Sequence, residues 1–107
     1  MKDLRPGTVI LLSLESRGAI RRRPAVVLFD PGDEQIIVAP ITSQPVRTPF
    51  DVEVIAWQEA GLLLPGTVRP QRPAALDRSR VERELGVLAR TDWARVRAMV
   101  HHIWSSI

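Results

Sequence analysis

The chain has 107 residues, of which 45% are hydrophobic and 25% are charged, and its formal net charge is +3. This size and composition fit one folded globular domain over residues 1–107 and exclude a wholly disordered chain. The absence of cysteine excludes a disulfide framework and a thiolate nucleophile, and no apolar run reaches the roughly 18 residues of a membrane-spanning helix.

The first residues, 1–7, lack the basic, apolar and small-residue order of a signal peptide, so we expect a cytoplasmic protein with no membrane segment. Apolar, β-branched residues 8–12 then predict a strand, whereas the polar stretch 15–23 predicts a loop. Residues 24–29 and 35–41 predict two further strands. The Asp-Pro-Gly-Asp turn between them predicts that they form a hairpin.

Weaker signals follow in the second half of the chain. Residues 42–48 predict a loop, and the alternation of Phe50, Val52 and Val54 with acidic residues predicts a strand that is wet on one face. A bend is expected over 61–65 and a short strand over 66–69. Residues 80–88 are compatible with either a strand or one helical turn.

The last segment has the spacing of a helix. Its apolar stripe consists of Trp93, Val96, Val100, Ile103 and Ile107. Thr91 is the predicted N-cap, and Asp92 lies in the first turn, where an acid suits the helix dipole. Five or more short strands and a closing helix predict a mainly β fold, a small barrel with a C-terminal α-helix.

Most catalytic and metal-binding motifs are missing. There is no glycine-rich phosphate loop and no Cys/His zinc spacing. His101 and His102 are adjacent, so on a helix they point about 100° apart and cannot flank one substrate. The acids Asp30, Asp33 and Glu34 fall in a turn. We therefore expect neither a metal nor another cofactor.

A cation and a hydroxyl are the remaining candidates for chemistry. If residues 24–29 and 35–41 form a hairpin, the start of its first strand lies beside the end of its second. Arg23 and Thr42 are then neighbours, and together they can hold a phosphate. The alternative is a solvated arginine loop beside an ordinary strand end, and spacing alone favours that alternative.

Five segments nevertheless resemble the MazF/PemK-like family of toxin endoribonucleases from type II toxin–antitoxin systems. They are RPGTVI (5–10), RRPAVV (22–27), VAPITS (38–43), PFDVEV (49–54) and LDRSRV (76–81) running on to LGVL (85–88). Together they span nearly the whole chain in the family's order.

The resemblance implies an SH3-like or PemK-like barrel of five to seven strands plus a C-terminal α-helix, in a homodimer. It implies a sequence-specific, metal-independent endoribonuclease that cleaves single-stranded RNA. The ribose 2′-OH attacks its own phosphorus and leaves a 2′,3′-cyclic phosphate and a 5′-OH. By motif the catalytic pair is Arg23 and Thr42. A cognate antitoxin with an acidic C-terminal segment is the implied protein partner.

Further positions are expected to bind RNA. They are Arg21, Arg22, Ser43, Gln44, Arg47, Arg69, Arg72 and Arg80. The chain departs from the family pattern at Gly66, Arg72 and Ala75, which implies an altered base preference. Trp57 is a candidate for base stacking or for capping the barrel, and Trp104 for a dimer interface or the core.

Two other functions remain open from sequence. A toxin of the same barrel can act on a protein target such as DNA gyrase, without catalytic duty for the arginine–threonine pair. A non-catalytic barrel can bind RNA or protein, and its binding would then survive loss of Arg23 with a modest, salt-sensitive change.

Overall fold

The computed structural model describes residues 3–107. The expectation about a signal peptide concerned residues 1–7, and of these Met1 and Lys2 lie outside the described residues. Within 3–107, seven strands form one curved antiparallel half-barrel that a C-terminal helix closes, which confirms the predicted mainly β class. The elements are β1 Thr8–Ser16, β2 Ala19–Phe29, β3 Gln35–Thr42, β4 Val52–Val54, β5 Gly66–Val68, β6 Ala74–Asp77, β7 Val81–Val87 and α1 Arg90–Ser105.

The first two strands form a long hairpin where the sequence predicted a loop over 15–23. Ser16 pairs with Ala19, and the two residues between them, Arg17 and Gly18, have positive φ values of 52° and 78°. Two left-handed residues in a two-residue loop make a type I′ turn, whose twist matches that of the strands. The loop prediction was wrong because the polar residues 19–23 form a strand by pairing with β1, although they show no apolar alternation that would predict one.

Strand β3 is the centre of the sheet. One edge pairs with β2, with Ala25 opposite Pro40, and this confirms the hairpin predicted around the turn at 30–33. The other edge pairs first with β6 and then with β5. Strand β6 was not predicted, and β7 resolves the ambiguous stretch 80–88 as a strand. The spatial order is β4-β5-β3-β2-β1-β7.

Two apolar clusters lie on opposite faces of this sheet. Val9 and Val26 belong to the cluster that α1 covers, while their neighbours Ile10 and Val27 belong to the other. Successive strand residues point to opposite faces, so a sheet buried on both faces needs continuous apolar runs. This is why β1 to β3 are apolar at nearly every central position.

Helix α1 starts two residues earlier than expected, with Ala89 at the N-cap and no side-chain capping bond, so the predicted N-cap at Thr91 was wrong. On the predicted stripe Val96 is buried, but Ile107 lies beyond the helix end and is 94% exposed. Asp92 is 1% exposed, which the sequence did not indicate. None of the helical segments in 3–107 has the length and apolar character needed to cross a bilayer.

Candidate functional site

A cavity of about 840 Å³ opens beside the middle of β2 and the end of β3. Its walls are mainly apolar and come from β1, β3, β6, β7 and the bend before β5. Leu12, Val38, Leu62 and Leu85 are representative of this lining. The charged groups in the lining are all arginines, and no acidic side chain is among the described residues that form it. The cavity therefore favours an anionic ligand with apolar parts.

Arg23 and Thr42 both line this cavity. Arg23 lies within β2, two residues before Ala25, and Thr42 ends β3, two residues after Pro40, so the pairing of Ala25 with Pro40 brings the middle of β2 beside the end of β3. The side chain of Arg23 is exposed, and among residues 3–107 it has no ion pair. Its guanidinium is thus available to an anion.

Thr42 is the last residue of β3 and is half-buried. Its backbone pairs with Thr67 of β5, which fixes the strand end. The Gln44 N–H donates to Thr42 Oγ1 over 3.2 Å. Because this bond uses an acceptor position of the hydroxyl, the O–H remains available to donate to a ligand oxygen.

Three further predicted residues line the same cavity: Ser43, Gln44 and Arg72. Arg83 of β7 lines it as well, and sequence reasoning missed it. Arg83 is paired with Leu11 of β1. Its place depends on the antiparallel register of β1 and β7, for which the ambiguous pattern over 80–88 gave no signal.

The other predicted RNA-binding arginines do not line the cavity. Arg21, Arg47 and Arg80 are exposed. Arg22 is exposed too, and its Nε lies 2.7 Å from a carboxylate oxygen of Glu82 on β7, across the intervening strand β1. Arg69 differs from these residues because its side chain is only 12% exposed. Of the arginines expected to bind RNA, Arg72 is therefore the one that lines this cavity.

Two departures from the family pattern have distinct surroundings. Gly66 is buried at the cavity wall, and an added Cβ would lie 2.8 Å from Ile41 Cγ2 and 3.0 Å from Leu62 Cδ1. The neighbouring apolar side chains thus fill the space that a serine would need. Ala75 is exposed on β6, opposite Ile37, and does not line the cavity.

The two tryptophans singled out from sequence lie in different environments. Trp57 is half-buried and packs against the apolar cluster beneath α1, as expected of a residue that caps the barrel. Trp104 is 77% exposed near the end of α1, so it does not belong to the core of this chain. His101 and His102 are exposed near the same helix end.

The described residues contain no candidate metal site. Among the described residues, no group of three or more His, Asp or Glu side chains is arranged to hold a metal ion. The donor set at the cavity consists of guanidinium, hydroxyl and amide groups, which suits a phosphate better than a divalent cation.

Comparison with known protein families identifies one family. A sequence model of the family described as PemK-like, MazF-like toxin of type II toxin-antitoxin system matches residues 5–104. No curated protein matches the sequence.

Several solved structures share the fold of this chain. The chain is similar to the MazE–MazF crystal structure from Deinococcus radiodurans, with 26% identity, a TM-score of 0.77 and coverage of 97% of each chain. It also resembles the Mycobacterium tuberculosis toxin MazF-mt6, at 21% identity and a TM-score of 0.75, covering 94% of this chain and 97% of that one. A mycobacterial endoribonuclease in complex with its cognate antitoxin shares the fold at 13% identity and a TM-score of 0.74, covering 94% and 93%.

Proposed function

The chain belongs to the PemK-like, MazF-like toxins of type II toxin–antitoxin systems, and on this premise we propose that it cleaves single-stranded RNA at specific sequences without a metal. The observation that carries the proposal is the position of Arg23 and Thr42 in one cavity without acidic lining. An unpaired guanidinium and a hydroxyl free to donate are the groups that a scissile phosphodiester requires.

The proposed reaction is a transesterification. The ribose 2′ oxygen forms a bond to the adjacent phosphorus and loses its proton, while the bond from phosphorus to the 5′ oxygen breaks and that oxygen gains a proton. The products are a 2′,3′-cyclic phosphate and a 5′-OH. Because the substrate supplies its own nucleophile, the protein needs only to position it and stabilise the charge of the phosphorane.

Each member of the pair has a separate role in this reaction. Arg23 stabilises the additional negative charge on the phosphorane oxygens, and it does not act as a base because a guanidinium stays protonated. Thr42 donates its O–H to a non-bridging phosphate oxygen and so orients the phosphorus for attack.

The RNA on either side of the scissile phosphate would be held by residues around the cavity. Ser43, Gln44 and Arg72 line it and can contact bases or sugar. Phosphates farther away would meet the exposed arginines of β2, of the loop after β3 and of the turn before β7. These are Arg21, Arg22, Arg47 and Arg80.

A cognate antitoxin would act on the same surface. The Deinococcus radiodurans and mycobacterial relatives are described in complexes with MazE and with a cognate antitoxin. An acidic C-terminal segment laid over this cationic cavity would block RNA, through folding coupled to binding. The proposal further includes one domain over 1–107, a homodimer and action in the cytoplasm, where the RNA substrate is found.

The test is cleavage of a mixed-sequence RNA by the purified chain in EDTA, with the ends of the fragments sequenced and chemically typed. The chain should give discrete fragments with 2′,3′-cyclic phosphate and 5′-OH ends. Arg23→Ala and Thr42→Ala should each lower the rate by roughly 10²–10³-fold, the usual cost of removing one transition-state donor.

Two exposed residues of α1 provide matched controls. Arg97→Gln and Thr91→Ala remove the same kinds of group away from the cavity and should cleave like the unmodified chain. No cleavage in EDTA, or cleavage unchanged by Arg23→Ala in a folded variant, would refute the proposal. The first result would favour a protein-directed toxin or a binding barrel.

A further inference from the structure

A buried carboxylate organises the loop that follows Thr42. The side chain of Asp51, just before β4, is fully buried. Its Oδ2 accepts the backbone N–H groups of Arg47 at 3.0 Å and Thr48 at 3.2 Å, and its Oδ1 accepts Gln71 Nε2 at 2.8 Å. Burial by itself raises the pKa of Asp51, but these hydrogen bonds outweigh it and lower the pKa to about 2. Asp51 is therefore an anion at neutral pH.

The guanidinium of Arg69 connects this anion to the cavity rim. Its Nε has no hydrogen-bond partner among the described residues and lies 3.9 Å from Asp51 Oδ1 as an ion pair, while its Nη2 donates to Gln44 Oε1 at 3.0 Å. The Arg69 backbone N–H donates to the Pro40 carbonyl oxygen at 3.0 Å, which ties the base of the side chain to β3. Arg69 is thus held at both ends, and it does not line the cavity.

The last link reaches the proposed catalytic hydroxyl. Gln44 accepts from Arg69 through its side chain, and its backbone N–H donates to Thr42 Oγ1 at 3.2 Å. We name this connected set the 51–69–44–42 chain, after Asp51, Arg69, Gln44 and Thr42. It joins the start of β4 and the end of β5 to the end of β3.

On the basis of the proposed function, we infer that Arg69 is a positioning residue for RNA cleavage, which holds Gln44 and thereby Thr42, and is not a contact for RNA phosphates. If the guanidinium of Arg69 moved away to contact an RNA phosphate, the buried carboxylate of Asp51 would lose its cation, which is costly. The benefit of keeping it is geometric, since displacement of a reacting group by about 1 Å can cost about 10²-fold in rate.

The two roles of Arg69 make opposite predictions for binding. A phosphate contact contributes to affinity and to its salt dependence, because each neutralised phosphate of a single strand releases counterions. A positioning residue contributes to the rate alone. A variant at Asp51 distinguishes the two roles further. If Arg69 contacts phosphates, removing the charge of Asp51 would free Arg69 to bind RNA more tightly. If Arg69 is a positioning residue, the same change would misplace Thr42.

The experiment uses the full chain and a single-stranded oligonucleotide that contains its cleavage site. The turnover rate kcat is measured on the RNA. The Kd is measured as a function of salt on the same sequence with a 2′-deoxy sugar at the scissile position, which lacks the nucleophile. The variants are Arg69→Gln, Asp51→Asn and their combination. Arg97→Gln, which removes one exposed arginine of α1, is the control for net charge.

We expect Arg69→Gln and Asp51→Asn each to lower kcat by about 10- to 100-fold, with Kd and its salt slope within twofold of the unmodified chain. The combined variant should be no slower than the slower single variant, because both break the same chain of contacts. If Arg69→Gln does not fold, Arg69→Lys replaces it: an ammonium cannot reach Asp51 and Gln44 at once, and the same loss in kcat is expected.

Two results overturn the inference. One is a weaker Kd for Arg69→Gln with a shallower salt dependence, accompanied by tighter binding in Asp51→Asn. The other is an unchanged kcat in folded Arg69 variants, which would leave Arg69 a purely structural role. Both results apply when the unmodified chain cleaves RNA in the same assay. If the unmodified chain does not cleave RNA, the proposed function and this inference are refuted together.

Discussion

Replacement of Asp92 by alanine tests how α1 is attached to the sheet. The Asp92 carboxylate accepts the backbone N–H groups of Ile55 at 3.2 Å and Ala56 at 2.9 Å, and it also forms an ion pair with Arg95. In Asp92→Ala both backbone donors lose their acceptor in a partly buried setting. At about 1–2 kcal/mol for each unsatisfied group, the lower part of the usual range because the setting is only partly buried, the expected loss in the free energy of unfolding is about 2–4 kcal/mol.

The assay is urea unfolding followed by tryptophan fluorescence, with the m-value used to verify that the extent of unfolding is unchanged. The same loss corresponds to a fall in Tm of roughly 10–20 °C. Asp92→Asn keeps one acceptor oxygen and should lose about half as much. Thr91→Ala alters an exposed neighbour that forms no capping bond and should be neutral.

The magnitude separates this reasoning from the simpler view of Asp92. An acid that merely complements the helix dipole contributes about 0.3–1 kcal/mol and is screened by salt. A loss below about 1 kcal/mol in Asp92→Ala, or a loss abolished by added salt, would refute the attachment through the two N–H groups.

Two further predictions concern backbone packing and pH. Gly61→Ala should destabilise the fold by about 3 kcal/mol or more, because φ is +84° and the new Cβ would lie 2.1 Å from the Leu85 carbonyl oxygen. The matched control Gly32→Ala, with φ +89° and open space around it, should cost only about 1–2 kcal/mol in the same urea titration. The pKa of Asp51 is about 2 in the folded chain, below its unfolded value of about 4, so its contribution to stability is complete above that value and is lost as the pH falls toward 2. Urea midpoints measured from pH 7 to pH 2 should therefore fall less steeply in Asp51→Asn; an equally steep fall would contradict the assignment.

Local sequence patterns predicted the strands whose apolar runs lie in the body of the sheet. The hairpin of β2 and β3 followed from its turn, and from that hairpin came the meeting of Arg23 and Thr42 at one cavity. Residue patterns did not predict strands that are stabilised mainly by pairing with another strand. The polar parts of β1 and β2, and the whole of β6, form strands because they pair with neighbours, and no periodicity of their own encodes this.

Some residues of the candidate site were likewise identifiable from sequence, and others were not. Its family motifs lie within short segments of sequence, so the residues that carry them were identifiable. The contribution of Arg83 and the burial of Arg69 were not, because both depend on how distant strands align. An arginine in a list of basic residues gives no sign of whether a carboxylate 18 positions away neutralises it, as Asp51 does for Arg69.

The amino-acid sequence by itself determined the mainly β class, the terminal helix, the family resemblance and the two residues on which the proposed chemistry depends. These follow from side-chain type and from pairing between consecutive strands, which are local properties. Tertiary structure alone decided which arginines face the cavity and which are neutralised within the protein. The reason is that burial and charge pairing depend on contacts between residues far apart in the chain, and these exist only once the sheet has folded.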